Sequence, residues 1–564
     1  MLNNKLANII TSTLLLIIIN NSLFAQLPII AQSRSTLSPS AERFNSYFQS
    51  SELTMYNLLA RSTCFYSIEK QTNTDTTKIT SAIISTFYSA GETEGDFLPY
   101  EGRSNYDVGL KGFAVKDYDK YGILYGKAHY AVGKHRDISW SAMRFPELYL
   151  PYAKTDSTGG DSKFESYYAE GGYTHKLHGL HFGANFSFNG EQAYRLTDPR
   201  VLNNTTFLTF KLGVGKVFAK GNSLCISAYY MRNKQYEHDR YWRPGEQQRF
   251  FVLYGFGLYN NKQSSVSFGV SRMFYINNEG IDISYQSAND KPISIKANII
   301  YDYKYMYAEE SSIITLYESR THSISPALNI SYAINNRIRL KLFTFNQIIK
   351  RLGRENILER YMTDVVNSTY DYRKIADEKN YHYFNLNSNT TLRAEYQINN
   401  ISKIGIQFGI IAFERKEKNT KYDYLVDNMN VTPTFRIDAD FLSPNSKHQL
   451  NLALQYNKQV SVKNKYNVDI QNNSIPHLDF QTCFAPYAYH SAEFDALCSQ
   501  AVYTYHFSKF SLGVKADAFL TSGTRLNDVE YNKTIGFNSI CPMILPQADK
   551  HNEKWFSIST FILF

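Results

Sequence analysis

A chain of 564 residues is long enough for several soluble domains or for one large β-architecture. Its aromatic share of 15%, carried by 45 tyrosines and 37 phenylalanines against 3 tryptophans, suits rings that sit with one end dry and the other wet, as at a membrane interface. The net charge of +9 is small beside 60 basic and 51 acidic residues, and no basic tract or glycine-rich phosphate loop accompanies it, which argues against nucleic-acid or nucleotide binding.

Residues 1–25 read as a secretory leader. Lys5 precedes an apolar run centred on Leu14 to Ile19, and small residues end at Ala25 before Gln26. The run is too short, and too interrupted by Asn20 and Asn21, to span a bilayer comfortably. Residues 26–78 form a separate N-terminal segment. Within it "PSAERFNSYFQSSELTMYNLLAR" predicts a short helix with Phe44, Tyr47 and Phe48 on one side. Two placements stay open: a hatch inside a lumen, as in fatty-acid-channel-like barrels, or a periplasmic extension against the rim. The segment is much too short for the folded plug of an energy-coupled nutrient receptor.

From residue 79 to the end the pattern has period two. In "HGLHFGANFSF" Leu180, Phe182, Ala184, Phe186 and Phe188 share one face, while His181, Gly183, Asn185 and Ser187 share the other. The same split separates Leu208, Phe210, Leu212 and Val214 from Thr209, Lys211, Gly213 and Gly215. Soluble antiparallel sheets alternate too, so strand length and the chemistry of the second face must decide. In "PISIKANIIYDYKYMY" one face runs Ile293, Ile295, Ala297, Ile299, Tyr301, Tyr303, Tyr305 and Tyr307. That is about sixteen residues, against about five or six in a typical soluble strand. It passes from aliphatic to tyrosine, as a lipid-facing strand does on reaching the headgroups. The opposite face carries Lys296, Asn298, Asp302 and Lys304, which a wet lumen tolerates and a dry core does not.

Short polar turns are predicted at Asp119–Lys120, Lys176–Gly179, Lys220–Asn222, Asn260–Gln263, Asn335–Asn336, Asn399–Asn400, Pro444–Ser446 and Ser508–Lys509, with longer tracts between them. Alternation of short and long connections is the habit of periplasmic turns and extracellular loops. The fold class expected is all-β: a closed antiparallel transmembrane barrel of about 18 strands, 16 to 20 being compatible, in the bacterial outer membrane. The last strand sets Phe556, Ile558, Thr560, Ile562 and Phe564 on one face. It resembles the C-terminal signature of outer-membrane barrels, an alternating strand ending in Phe, and the resemblance implies recognition of Phe556, Ile558, Ile562 and Phe564 by the barrel assembly machinery.

Sites of chemistry are few. His175, His178 and His181 form H-x-x-H-x-x-H, but the run crosses a turn, so convergence on a metal is less expected than a role as interfacial turn residues. Serine and histidine are plentiful without a nucleophile elbow, so no catalytic residue, metal or cofactor is assigned. Five cysteines include no C-x-x-C pair; Cys483 and Cys498 either close a loop or stay as free buried thiols. Candidate lumen-facing residues are Lys296, Asp302, Lys304, Arg337, Arg339 and Lys341. The last three either favour anions or pair with acids on neighbouring strands. "YEHDRYWRPGE", with Tyr241 and Trp242 among charges, reads as a surface loop open to a ligand or simply solvated.

Several stretches in order, the G-D-F tract at Gly95–Phe97, Tyr-Gly-Lys at Tyr125–Lys127, and "PELYLPY" followed by "DSTGGD", resemble the front half of an outer-membrane β-barrel family of Bacteroidota described as a domain of unknown function. The resemblance implies fold and location and brings no catalytic residues. Function is expected to be passive or gated passage of a small solute. The alternative is a surface or secretion-associated barrel whose loops bind a protein partner. Outer-membrane lipid is the surrounding partner in either case, and nucleic acid in neither.

Overall fold

The computed structural model describes residues 39–48, 51–72, 80–95, 97–156, 159–198, 200–240, 250–260, 272–288, 292–310, 314–364, 369–399, 402–468, 480–524 and 550–564. The expected leader, residues 1–25, lies outside them. Eighteen antiparallel strands close into one sheet. The first, β1 (Ser81–Gly95), pairs with β2 (Ser104–Asp117) on one side and with the last, β21 (His551–Leu563), on the other. Closure is sealed at the chain end, where Phe564 N–H donates to Ala82 C=O at 2.8 Å and Ala82 N–H donates to Phe564 C=O at 3.2 Å. A closed sheet leaves no unpaired edge, which hydrocarbon requires.

Alternation places the two faces as hydropathy demands. Outward side chains form an apolar belt around the cylinder, with Phe210 50%, Phe408 60% and Phe564 58% exposed. So much contiguous apolar surface is incompatible with water and suits acyl chains. The inner face is polar: on β8 (Ser223–Arg240) Asn233, Gln235 and Glu237 are fully buried inside the wall. Seven of the eight predicted short turns lie where strands reverse; His178 and Gly179, both with positive φ, make a two-residue turn between Leu177 and Leu180. The eighth is a correction. Asn260 ends a strand of a small separate sheet, and β8 pairs directly with β11 (Arg272–Gln286), so residues 241–271 form one long connection. Period-two reading cannot separate a barrel strand from a strand in a folded-in loop, because both alternate.

Two strands far exceed what a membrane needs. β14 (Ile338–Asp364) and β15 (Thr369–Asn399) have 27 and 31 residues, against about 9–11 for a spanning strand. Beyond Glu355 and Glu378 their ladder pairs only with itself, although side chains at the hairpin's base, Asn356 and Lys374, still bond Glu318 of the preceding strand. Two prolines interrupt the ladder elsewhere. β13 (Ile314–Ala333) skips Ser325 and Pro326 in its pairing with β14, and β17 (Tyr424–Leu442) skips Thr432 and Pro433 in its pairing with β18 (His448–Asn467). Proline has no N–H to give the ladder. Ser325 and Thr432 both line the chamber described next.

Candidate functional site

Inside the cylinder lie three short helices, α1 (Pro39–Tyr47), α2 (Ser51–Ala60) and α3 (Phe65–Thr72). Their apolar side chains bridge opposite walls. Met55, Leu58, Leu59, Phe65 and Tyr66 cluster with Ile83 and Phe561 on one side and with Ile300 and Phe343 on the other. In α1 Phe44 stacks on Phe48 at 4.9 Å and lies 4.8 Å from Trp555, and the Arg436 guanidinium sits 4.2 Å from the Phe48 ring centre. The segment therefore fills the bore by burying aromatics among inward side chains, which is why Phe44 and Phe48 share a face.

The wall is carved to receive it. Gly183 on β6 (Leu180–Arg195) faces Gly213 on β7 (Arg200–Val217), and Gly215 lies beside Cys225 on β8. A Cβ at Gly183 would fall 2.3 Å from Thr63 C=O, and one at Gly213 would fall 2.4 Å from Thr63 Oγ1. Only glycine leaves room for the 61–64 turn at this distance. Polar bonds then fix the turn: Lys211 Nζ donates to Arg61 C=O at 2.5 Å while pairing with Asp282 at 2.9 Å, and Ser67 Oγ bonds His181 Nδ1 at 2.6 Å.

At the other end of the segment Arg43 makes a buried ionic knot. Its Nε donates to both Glu553 carboxylate oxygens at 2.8 Å, its Nη1 reaches Glu101 at 2.6 Å, and its guanidinium lies 5.7 Å from the Tyr489 ring centre. Burial opposes the arginine's charge, but Glu553 and Glu101 outweigh it and hold the guanidinium well above its ordinary range. Burial pushes the Glu101 carboxyl up to about 7, against the pull of Arg43. His490 is pushed well below its usual range by burial and by the cations Arg415 and Arg43.

From the far side loops fold inward. The connection between β3 (Ile123–Ile138) and β5 (Gly160–Leu177) carries helix α4 (Pro146–Tyr149) and β4 (Lys154–Asp156), which joins β9 (Phe250–Leu253) and β10 (Tyr259–Asn260) in the small sheet. Tyr149 donates to Asn233 at 2.5 Å, Tyr152 stacks on Tyr317 at 4.7 Å, and Arg351 Nη1 donates to Leu150 C=O at 2.8 Å. Helix α5 (Ala485–Ser491) docks on β17, where Asn428 donates to Ser491 at 2.5 Å. Between this lid and the N-terminal helices lies a chamber of about 470 Å³. Arg43, Tyr47 and Arg61 of the helical segment and Glu147, Leu148 and His490 of the inward loops all line it. Its side wall, from β13 to β17, presents amides and hydroxyls, among them Thr321, Gln347, Asn387, Asn389 and Asn430, with Phe345 and Phe413 between them. Such a surface can bond a polar solute of either charge and stack on its flatter faces.

The residues singled out from sequence distribute unevenly. Asp302 and Lys304 line the chamber, and Tyr229 donates a hydrogen bond to Asp302. Lys296 is half-buried on β12 (Ile293–Glu310) away from it. Arg337 lies in the exposed turn before β14, and Arg339 is exposed just after it. Lys341 is buried and bonded to Glu395, which also holds Arg393, so the triplet is not a free cationic ladder. Phe556, Ile558, Ile562 and Phe564 all face outward. The three histidines do not converge: His175 stacks on Tyr173, His178 sits in the turn, and His181 points inward to Ser67 and Gln71. Cys483 and Cys498 lie in different clusters and form no disulfide with each other. Tyr241 and Trp242 lie outside the described residues. The tract before them continues β8, and Glu237 is buried there against Lys154 at 3.2 Å.

Sequence reasoning passed over Arg43, Glu101 and Glu553, whose meeting depends on chain closure. It also passed over the glycine berth, although Gly183, Gly213 and Gly215 all stand on the polar face, where a wet wall has no need of them. The closed sheet, its apolar belt and its polar interior make the protein a bacterial outer-membrane β-barrel. Comparison with curated proteins finds no significant match. Among solved structures the chain is similar to the FrpB iron transporter from Neisseria meningitidis, at 7% identity over 85% of this chain and 81% of that one, with a TM-score of 0.37. It is similar also to the copper transporter OprC, at 7% over 86% and 80% with a TM-score of 0.38. The ferripyoverdine receptor of the outer membrane of Pseudomonas aeruginosa matches at 9% over 85% and 72%, with a TM-score of 0.38. The model of a family of unknown function, DUF6850, matches residues 71–564, and the chain belongs to that family.

Proposed function

We propose that this barrel is a gated conduit for a small polar solute, with residues 39–72 as its hatch and the inward loops as its outer lid. It is a passage and not an enzyme, and it needs no cofactor. The observation that carries the reading is the chamber of about 470 Å³ that lies between the helical segment and the inward loops and is walled by amides, hydroxyls and aromatic rings. An 18-stranded cylinder is wide enough to leave an aqueous channel when unfilled, so whatever fills the bore sets the flux. In this reading residues 1–25 are the leader, and the outward face of Phe556, Ile558, Ile562 and Phe564 is what the assembly machinery reads.

The test is uptake by the full-length protein in proteoliposomes, using uncharged solutes of graded size. Slow entry by wild type, with a cut-off at solutes comparable to the chamber, and faster entry by Arg43→Ala are expected. A protein that admits nothing, even with Arg43 removed, refutes the conduit. A second reading, a barrel that binds a protein partner, draws on the hairpin of β14 and β15, whose projecting part exposes Ile357, Tyr361, Met362 and Ile375. Deleting residues 356–377 should leave uptake unchanged on the first reading and abolish co-purification of a partner on the second.

A further inference from the structure

Two cysteines meet at the berth. Cys64 belongs to the turn between α2 and α3, and Cys225 to the inner face of β8; they form one small buried cluster with Ile68, and both meet at Ser62, whose Oγ accepts from Cys64 N–H at 3.3 Å. Neither is open to solvent, at 0% and 2% exposure. Ser62 Oγ donates to Cys225 Sγ at 2.7 Å, and Cys64 Sγ donates to His181 C=O at 3.3 Å. The site is kept clear by glycine: a Cβ at Gly215 would stand 2.8 Å from Ile68 Cδ1 and 3.4 Å from Cys225 Cβ. Everything around the pair holds the turn against the wall, so the two sulfurs are brought together by geometry established without a covalent bond.

Their height in the barrel matters as much. Cys225 lies just beyond the short turn that joins β7 to β8, and His181 just beyond the turn that joins β5 to β6. Short turns mark the periplasmic end of such barrels. The thiols therefore sit at the rim facing the compartment in which disulfides form and persist. Cys483 and Cys498, by contrast, belong to separate clusters.

We propose that Cys64 and Cys225 are a disulfide site that fastens the helical segment to the β8 wall. The bond forms before the segment docks and buries the thiols, by thiol–disulfide exchange with a periplasmic dithiol–disulfide oxidoreductase. One thiolate attacks the donor's disulfide and gives a mixed disulfide; the other thiolate then displaces the donor's sulfur. Two protons and two electrons leave the pair, the Cys64–Cys225 S–S bond forms, and the donor departs as a dithiol. The bond would anchor the segment at its periplasmic end while leaving the Arg43 end held by ion pairs and aromatic packing, without a covalent link. The bond itself does not depend on the conduit reading; its effect on passage does.

The experiment takes full-length protein from outer membranes of cells quenched with N-ethylmaleimide, digests it without reductant and reads the peptides by mass spectrometry. A linked species is expected that joins the Cys64 and Cys225 peptides, is lighter by two hydrogens than the free pair, and is lost on dithiothreitol treatment. Finding no linked species, with both cysteines alkylated once N-ethylmaleimide is applied under denaturing conditions, overturns the proposal. Because the measurement uses wild type, no variant has to fold. Uptake with and without dithiothreitol is a separate readout. A linked species whose reduction leaves uptake unchanged keeps the bond and removes its role in gating.

Discussion

The two ends of the helical segment are held by different physics. At the 61–68 end the hold is mainly shape: Thr63 C=O lies against Gly183, Thr63 Oγ1 against Gly213 and Ile68 against Gly215, with Lys211 and His181 bonding the same stretch. At the Arg43 end charge is added to aromatic packing, one guanidinium being shared by Glu553 of the last strand and Glu101 of the first connection. A close steric fit has no intermediate setting. An ion cluster does, because protonation, salt or a charged solute can each compete with it. On the conduit reading proposed above, the difference makes the Arg43 end the one expected to open and the glycine end the one expected to stay.

Removing Arg43 is the strongest blow to that contrast. Arg43→Ala strands Glu553, whose side chain is 1% exposed, and Glu101 without their cation. Loss of one partner from a buried pair costs about 3–5 kcal/mol, and the 19% exposure of the Arg43 side chain puts the effect at the lower end of that range. The expected result is a large rise in solute uptake with the barrel still heat-modifiable on a gel; unchanged uptake would mean that charge does not hold this end.

Next in size is the shape-held end. Gly183→Val forces a side chain into Thr63 C=O. Overpacking costs about 1–3 kcal/mol, enough to shift a docked-to-released ratio by roughly one to two orders of magnitude. Protease sensitivity of residues 51–72 should rise in this variant. In Arg43→Ala the same residues should stay protected, because their berth is intact. If both variants expose the same residues, the segment leaves as one piece and the contrast fails.

Arg43→Lys should fall between alanine and wild type. Lysine keeps the charge but cannot present Nε to Glu553 and Nη1 to Glu101 together. A modest rise in uptake, steeper with added salt than in wild type, is the expected reading.

How much of this was legible in the sequence follows from which distances along the chain each feature spans. The outward face of each strand needs only its own period of two, so Phe182 to Phe188 and Ile404 to Ile410 were readable at once. Closure was readable too, because the terminal alternation to Phe564 implies a partner for the last strand. The small sheet was not, since a loop strand such as Tyr259–Asn260 alternates like a wall strand and only its partners differ. The ionic knot was out of reach for a different reason. Arg43 meets Glu553 across the closure seam and Glu101 across the first hairpin, and no local pattern announces a three-body contact between segments so far apart. The berth left a trace: Gly213 and Gly215 alternate with Leu212 and Val214 on the polar face, where chamber-lining strands put amides instead.

The smallest effect is the most specific to charge. Glu101 has a folded value of about 7, against an ordinary 4.5, because burial outweighs Arg43, while Glu147 and Glu553 add their own repulsion. The folded protein thus binds more protons here than the unfolded chain does. Its contribution is fully present below pH 4.5 and is lost as pH rises through about 7. His490 works in the opposite sense, since its depressed value removes stability as pH falls through the ordinary histidine range. Wild type alone therefore mixes the two, and the comparison must be made against Glu101→Gln. In detergent, the melting temperature of wild type relative to that variant should fall between pH 5 and pH 8, modestly, because 22% of the Glu101 side chain is exposed. A difference that stays flat across this interval would mean that Glu101 remains ionised throughout, held by Arg43 more tightly than burial opposes it, and the charge-held end would then have no proton-sensitive setting.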